Sequence, residues 1–382
     1  MGLVGPGFVG VHHIDAVRRL GFVDVVAIAA SSEASARRKA NELGISRAYD
    51  SYEALAADPG VHVVHNTTPN YLHVPVIQAA LKHRKHVVSD KPLAVSSEDA
   101  RNLWQSARDA GVIHAVTFNY RGNPLVQQAR TMIAANDIGP VHFVHGGYLQ
   151  DWLLEPTDFS WRLEPEKGGK SSAVGDIGSH WCDLVQHVVG HRIEAVLAEL
   201  TTVVPSRLKP TVTPNAFASG NTDDGREPFT VQSEDLATIL VRFDGGAKGC
   251  VSVGQVCAGH KNDLWFEVNA QRASIRWLQE RQNELWIGRR DAANQVLPKD
   301  PSLLAPAVRQ YAGLPGGHQE AWGDAFRNVL RDVYHVILEG NPSTGCLPPT
   351  FATFEDGYHA ACVVDAILAS HAAGGAWTRV RY

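Results

Sequence analysis

Short apolar blocks recur along the first third of the chain, each followed by a stretch whose apolar positions fall every three or four residues. VDVVAIAA (23–30), VHVVHNTT (61–68), HVVS (86–89) and VIHAVTF (112–118) read as buried strands. Between them EASARRKANELG predicts a helix that stops at Gly44, a C-cap residue. VPVIQAALKH and SSEDARNLWQSARDAG predict two further helices. Strand and helix alternating in units this short imply a parallel, doubly wound α/β sheet. Only four residues precede Gly5, so the first strand looks clipped.

Beyond residue 121 the pattern changes. Strand-like runs follow one another at VHFVHGGYL, AVLAELTTVV, DLATILVRF, AKGCVSVGQV, DLWFEVNA and ASIRWL, with helices at LVQQARTMI and around 177–189. Residues 205–230, rich in Pro, Thr, Asn and Gly, predict a long loop, mobile or packed on a neighbouring subunit.

A chain of 382 residues suits two domains, and 44% apolar content supports a sizeable core. A net charge of −5 without basic stripes argues against nucleic acid or an anionic membrane as partner. No apolar run approaches the roughly 18 residues of a spanning helix. The start, MGLVGPGFVG, lacks the basic region and cleavage site of a secretory signal. Five scattered cysteines show no paired metal-ligand spacing and suit a reducing compartment, so a cytoplasmic protein is expected.

Gly5, Gly7 and Gly10, interleaved with Phe8 and Val9, fit G-x-G-x-x-G ahead of a helical pattern. In a dinucleotide fold the first glycine allows the tight turn, the second lets backbone approach a pyrophosphate, and the third permits close helix–strand packing. The helix start adds free N–H groups and a positive dipole end. The next strand ends Ala29, Ala30, Ser31, Ser32, with Arg37 and Arg38 on the following helix, and no acid stands where NAD ribose is usually bound. Two hydroxyls and nearby guanidinium groups suit a 2′-phosphate; an ordinary N-cap with solvated arginines is the other reading, so NAD versus NADP stays open.

TTPNYLH (67–73), SDKPLA (89–94), FNYR (118–121), GDIGSHWCDL (175–184) and the closing GYHAACVVDAILAS follow the glycine turn in order. Together they resemble the Gfo/Idh/MocA family of sugar and cyclitol oxidoreductases, with Asp90 where the family's E-K-P motif has glutamate. YLQDW (148–152) and SWR (160–162) look most like its levoglucosan-type sugar dehydrogenases. The resemblance implies a Rossmann NAD(P)-binding domain over 1–120. It also implies a substrate-binding and oligomerisation α/β domain over 121–382 with a large open, mainly antiparallel sheet, whose C-terminal segment can pack back on the first domain. A homo-oligomer, dimer or tetramer, is expected. Cofactor contacts are implied at the glycine turn, at Ser31, Ser32 and Arg37, and at Thr67, Thr68, Pro69, Asn70 and His73. Asp90, Lys91, Asn119, Trp161 and Arg162 complete them.

Hydride transfer from an alcohol needs an acceptor for the hydroxyl proton and stabilisation of the developing alkoxide. Lys91 suits the second task and can share the first; Pro92 fixes the backbone after it, and a cis Lys91–Pro92 bond is one consequence to look for. Asp176 and His180 stand four apart on a predicted helix and share a face. The resemblance makes His180 the general acid/base, with Asp176 binding substrate or holding the imidazole. Asp183 and His187 extend the stripe, and a metal-dependent isomerase or hydrolase is a rival reading. Four ligands over three turns of one helix cannot converge on one ion, so no metal is expected. Tyr148, Gln150 and Trp152 alternate on a predicted strand and, with Tyr120, are candidate substrate contacts; the alternative is a sheet face in an interface. The expected activity is oxidation of a secondary hydroxyl of a sugar, anhydrosugar, glycoside or cyclitol. The alternatives are a redox-assisted glycoside-cleaving enzyme and a non-catalytic cofactor-binding regulator.

Overall fold

A computed structural model of the chain describes residues 1–211, 225–339 and 350–382. They divide into two compact units, Met1–Gly122 with Trp322–Ala361, and Asn123–Ala321 with Cys362–Tyr382. The first holds a six-stranded parallel sheet of β1 (Gly2–Val4), β2 (Ala27–Ala29), β3 (Arg47–Tyr49), β4 (Val63–Asn66), β5 (His86–Ser89) and β6 (His114–Val116), in the order β3-β2-β1-β4-β5-β6. Helices α1 (Phe8–Arg18), α2 (Glu33–Leu43), α3 (Tyr52–Ala57), α4 (His73–Lys82) and α5 (Ser97–Ala110) alternate with the strands. The short β1 is paired on both sides, with β2 and β4, which suffices to hold three residues.

Helix boundaries follow local chemistry. Ser32, Ser51 and Ser96 cap α2, α3 and α5 through their hydroxyls, and Gly44 and Gly111 end α2 and α5 in the left-handed conformation. The apolar pattern missed β3 and α3. RAY is a three-residue, half-buried edge strand, and six-residue YEALAA is too short for a clear helical period.

Chain order does not close this unit. A long helix (Trp322–Glu339) returns to it, and its Phe326, Val329, Leu330 and Val333 pack with Leu3, Ile14, Val17 and Ile28 in one core cluster. Each such buried side chain contributes roughly 1.5–3 kcal/mol of apolar transfer energy.

The second unit centres on a nine-stranded sheet. Its strands are β7 (Val141–Leu149), β8 (Ile193–Thr201), β11 (Leu236–Phe243), β12 (Lys248–Gly254), β13 (Asp263–Ala270), β14 (Ser274–Leu278), β15 (Glu284–Gly288), β16 (Gln295–Pro298) and β17 (Thr378–Arg379). The order is β16-β15-β14-β13-β7-β12-β11-β8-β17, and every pairing is antiparallel except β12 with β7. The predicted loop over 205–230 is otherwise: its described ends pair as β9 (Ser206–Pro210) and β10 (Arg226–Thr230), and 212–224 lies outside the described residues, as does Cys346. The pairing brackets Arg207, a fully buried arginine that ties β9 to neighbouring backbone.

One face of the large sheet carries α6 (Pro124–Ala134) and α8 (Ser179–Val189), with the single turn α7 (Pro165–Gly168) between them in sequence. Trp181 of α8 is fully buried and donates its indole N–H to the Trp265 carbonyl at 3.1 Å. A Cβ on Gly146 would stand 2.3 Å from that indole nitrogen, so the glycine is what lets α8 approach β7. Among the described residues no helix is long and apolar enough to cross a membrane.

Candidate active site

In the first unit the expected cofactor residues surround the C-terminal ends of β1, β4, β5 and β6, the edge where doubly wound sheets receive ligands. Gly5 has φ +87°, and a Cβ there would meet the Thr67 carbonyl oxygen at 2.8 Å. A Cβ on Gly10 would meet Gly5 O at 2.7 Å, whereas no described atom lies within 4 Å of one on Gly7. Thr67 clamps the turn from beneath, donating its hydroxyl to Gly5 O at 2.6 Å. The α1 N-terminus has no side-chain cap and no acid in its first turn, and Phe8 at its start is exposed. An uncapped helix start beside an open glycine makes the cradle that a pyrophosphate fills. In the 3₁₀ turn after β6 (Asn119–Gly122), Asn119 Nδ2 is buried and has no hydrogen-bond partner among the described residues, a donor that a bound acceptor would satisfy. These residues fit a dinucleotide.

At the end of β2, Ser31 and Ser32 are exposed, and Ser32 accepts the Ser35 N–H as the cap of α2. Arg37 is paired along its own helix with Glu33 at 2.5 Å, and Arg38 with Glu42 at 3.7 Å.

The turn after β5 is the densest part of this unit. Asp90 accepts the Thr117 hydroxyl at 2.8 Å and sends its N–H to Asn66 O at 2.8 Å, so the acid that replaces the family glutamate is tied to both neighbouring strands. Lys91 follows, and the Lys91–Pro92 bond is cis. His73 lies beneath, completely buried. Its ring nitrogens stand 2.6 Å from Pro92 O and 2.9 Å from Thr68 O. Burial pushes its pKa down, against the pull of Asp90 and the two carbonyls. His73 therefore staples the turn carrying Thr68, Pro69 and Asn70 to the turn carrying Lys91.

In the second unit, α8 is entered through a π-helical turn, Val174–Gly178, a form concentrated at functional sites. Asp176 lies in that turn and His180 in the first turn of α8. Both Asp176 oxygens are held: Arg162 Nε donates to Oδ1 at 3.2 Å and Gln255 Nε2 to Oδ2 at 2.9 Å. The Arg162 guanidinium also lies 4.5 Å from the centre of the Trp161 ring. Opposite, the Tyr148 ring meets the His180 imidazole edge-on at 6.1 Å.

β7 ends at Leu149, so Gln150 and Trp152 do not share a strand face with Tyr148; hydrogen bonds join them instead. Trp152 donates to Gln150 Oε1 at 2.8 Å, while Tyr148 and Gln150 both donate to Asn262 Oδ1, at 2.5 and 3.4 Å. His187, further along the stripe, meets Gln127 of α6 at 3.2 Å, and among the described residues no group of three or more His, Cys, Asp or Glu side chains could hold a metal ion. Tyr120 lies buried in the turn with Asn119 in the first unit. Sequence reasoning missed Gln255, Asn262 and Glu234. Gln255 lies within the run AKGCVSVGQV and Asn262 just before DLWFEVNA, runs singled out for their apolar pattern, where an amide carries no periodic signal.

Comparison with known proteins agrees with both halves. Residues 1–118 match the model of an oxidoreductase family with an NAD-binding Rossmann fold, and 126–276 match the GFO/IDH/MocA C-terminal domain. Levoglucosan dehydrogenase of Pseudarthrobacter phenanthrenivorans is 31% identical over 100% of this chain and 97% of its own. An NADP-dependent D-xylose 1-dehydrogenase of Haloferax volcanii is 33% identical over 47% of this chain and 54% of its own. A solved levoglucosan dehydrogenase with NADH and levoglucosan superposes with a TM-score of 0.86 at 30% identity, covering 100% of this chain and 98% of that one. With a glycine cradle, a lysine turn after β5 and a held aspartate on the α8 turn, all in the order of the family's motifs, the chain belongs to the Gfo/Idh/MocA family of NAD-binding sugar and cyclitol oxidoreductases.

Proposed function

We propose that the protein is a NAD(P)-dependent dehydrogenase that oxidises a secondary hydroxyl of a sugar, anhydrosugar, glycoside or cyclitol to a ketone. Its full-length relatives make an anhydrosugar such as levoglucosan the first substrate to try. The observation that supports this most is the Asp176 carboxylate, held at both oxygens in the turn that leads into His180. A carboxylate held this way keeps one geometry, which suits it to orient a hydroxyl or an imidazole.

When bound, the nicotinamide supplies the hydride acceptor. The glycine turn and α1 hold its pyrophosphate, and Asn119 offers a donor near the end of β6. His180 takes the hydroxyl proton through its imidazole, and the Lys91 ammonium stabilises the charge that develops on that oxygen. The Tyr148–Asn262–Gln150–Trp152 chain presents aromatic surface and hydroxyl-reading groups side by side, the chemistry a polyhydroxylated ring needs.

A homo-oligomer belongs to the same reading. The sheet face opposite α8 carries exposed Phe143 and Leu240 with half-buried Trp265 and Trp286, interleaved with His145, Glu267 and Arg276, a mixed face suited to a second copy.

The test is a panel of levoglucosan, L-sorbose, aldoses and inositols with NAD and with NADP, following the absorbance of reduced nicotinamide. Reduced cofactor accumulating in step with ketone supports the proposal. Glycoside cleavage without net reduction, or cofactor binding without turnover of any polyol, overturns it.

A further inference from the structure

Two adjacent acids precede β11, and both are buried among backbone groups. Glu234 Oε1 accepts the Ser171 hydroxyl at 2.6 Å, the Ser172 N–H at 3.1 Å and the Val174 N–H at 2.9 Å. Its own carbonyl accepts the Ala173 N–H at 3.2 Å. Ser171 then passes the connection on, accepting the Gly175 N–H at 2.8 Å. These bonds gather at the start of the π-turn, whose N-cap residue Ala173 has no side-chain acceptor of its own. A carboxylate 60 residues away in sequence does the work of a cap.

Its neighbour Asp235 secures the other half of the same site. Asp235 accepts the N–H groups of Val203 and Val204 at 2.7 and 3.0 Å and faces Arg207 at 3.6 Å. Arg207 donates to the carbonyls of Leu153, Glu155 and Asp158, which form the segment directly after Gln150 and Trp152. The Asp235 carbonyl also receives the N–H of Gln255, the residue that holds Asp176. One dipeptide thus fixes both the turn bearing Asp176 and the segment following Trp152.

A π-turn carries one more residue per hydrogen-bonded ring than an α-turn, so it persists only where its surroundings hold it. Without the Glu234 acceptor, three donors at the start of the turn are orphaned. With those donors released, nothing holds the start of the turn in the π register, and a shift there displaces Asp176 relative to His180. Burying a carboxylate is costly, and burial pushes the Glu234 pKa up against the bonds it accepts. A neutral amide supplies the same acceptor oxygen, so what this position needs is the acceptor and not the charge.

We propose that Glu234 is a positioning residue for proton transfer, holding the π-turn so that Asp176 and His180 keep their mutual geometry. The inference rests on reading His180 as the proton acceptor and Asp176 as the carboxylate that orients it or the substrate. It is tested on the full chain, labelled with ¹⁵N-histidine, as wild type, Glu234→Ala and Glu234→Gln, the His180 resonance being assigned with His180→Asn. Glu234→Ala is expected to move the His180 titration midpoint by about half a pH unit or more. It should also lower kcat by roughly 10- to 100-fold, the scale of a 1 Å misplacement, with NADH affinity kept within about twofold. Glu234→Gln should restore the midpoint and bring kcat to within about threefold of wild type.

A folded Glu234→Ala protein with an unmoved His180 midpoint overturns the proposal, and so does a Glu234→Gln protein as impaired as the alanine variant. If Glu234→Ala does not fold, Ser171→Ala removes one donor to Glu234 and the acceptor of Gly175; an unmoved His180 midpoint in that variant overturns the proposal equally. Should the wild type turn over no polyol, the functional reading fails while the His180 midpoints still decide whether Glu234 positions the turn.

Discussion

Gln255 donates its amide Nε2 to Oδ2 of Asp176 at 2.9 Å, and its own Oε1 accepts the Ser172 hydroxyl at 3.3 Å. The serine fixes which way the amide points, so a donor and not an acceptor faces the aspartate. With Arg162 on Oδ1, both Asp176 oxygens accept from side-chain donors, and the two together fix the plane of the carboxylate.

Gln255→Glu replaces that donor by a second carboxylate. Two carboxylates in contact cannot both ionise at ordinary cost, so one of the pair holds a proton toward neutral pH. The expected outcome is a drop in kcat/KM of roughly 10- to 100-fold at pH 7, with the acid limb of the pH profile displaced upward by about one unit. Steady-state kinetics between pH 5 and 9 check it, and an unshifted acid limb would show that Asp176 does not set it.

Lys91→Ala removes the ammonium proposed to stabilise the alkoxide. Turnover should fall by roughly 10²- to 10⁴-fold while NADH still binds, because the glycine cradle is untouched. Lys91→Arg should not restore it, since a planar guanidinium on a longer side chain cannot occupy the same point. Stopped-flow turnover and nucleotide fluorescence separate the two effects; normal turnover in the alanine variant would remove Lys91 from the mechanism.

Elements with a period or a punctuating residue are legible in the chain itself. The apolar runs VHFVHGGYL and DLWFEVNA coincide with β7 and β13 end to end, and Gly44 as a C-cap has the left-handed φ of 62° that the role requires. What escapes such a reading are short edge elements such as β3, and the β9–β10 ribbon, whose polar sequence reads as loop because its anchor is a single buried arginine. The helix at Trp322–Glu339 has an apolar stripe, but nothing local says that it packs with Leu3 and Ile14. The site divides the same way. Asp176 and His180 show in the sequence because they stand at helical spacing, whereas Glu234 and Gln255 reach that turn from 60 and 79 residues away.

Acid should unfold the first unit early. His13 and His65 are fully buried, their Nδ1 atoms 2.8 Å apart, so one must donate and the other accept, both neutral. Burial lowers His13 to about 4 and His65 well below its usual value, and His114 is likewise lowered to about 4. The unfolded chain takes up protons near pH 6.5 while the fold resists until about pH 4, so this stability is present above 6.5 and is lost as pH falls through that window. For His13 the loss is about 3 kcal/mol. Thermal melts from about pH 7.5 to 5 should show a falling Tm, and His13→Gln should flatten the fall; equal slopes in both proteins would argue that the pair does not carry it.

Gly5 and Gly7 sit two residues apart in the same turn and should fail in opposite ways. Gly5 holds φ +87° with Thr67 backbone 2.8 Å from any added Cβ, so Gly5→Ala must strain the turn or push β1 from β4. It is expected to cost about 1–3 kcal/mol of stability whether or not cofactor is present. Gly7 has φ −80° and ψ −160°, a conformation alanine adopts freely, and no described atom lies within 4 Å of its added Cβ. Gly7→Ala should therefore fold with the wild-type Tm. Its methyl group, however, projects from the N-cap of α1 into the space that the pyrophosphate needs, and NADH affinity should fall by at least about tenfold. Melting curves with and without NADH distinguish the two: Gly5→Ala melts low in both, while Gly7→Ala loses only the increment that NADH adds. A Gly7→Ala protein that keeps the full increment would place the dinucleotide elsewhere than on this turn.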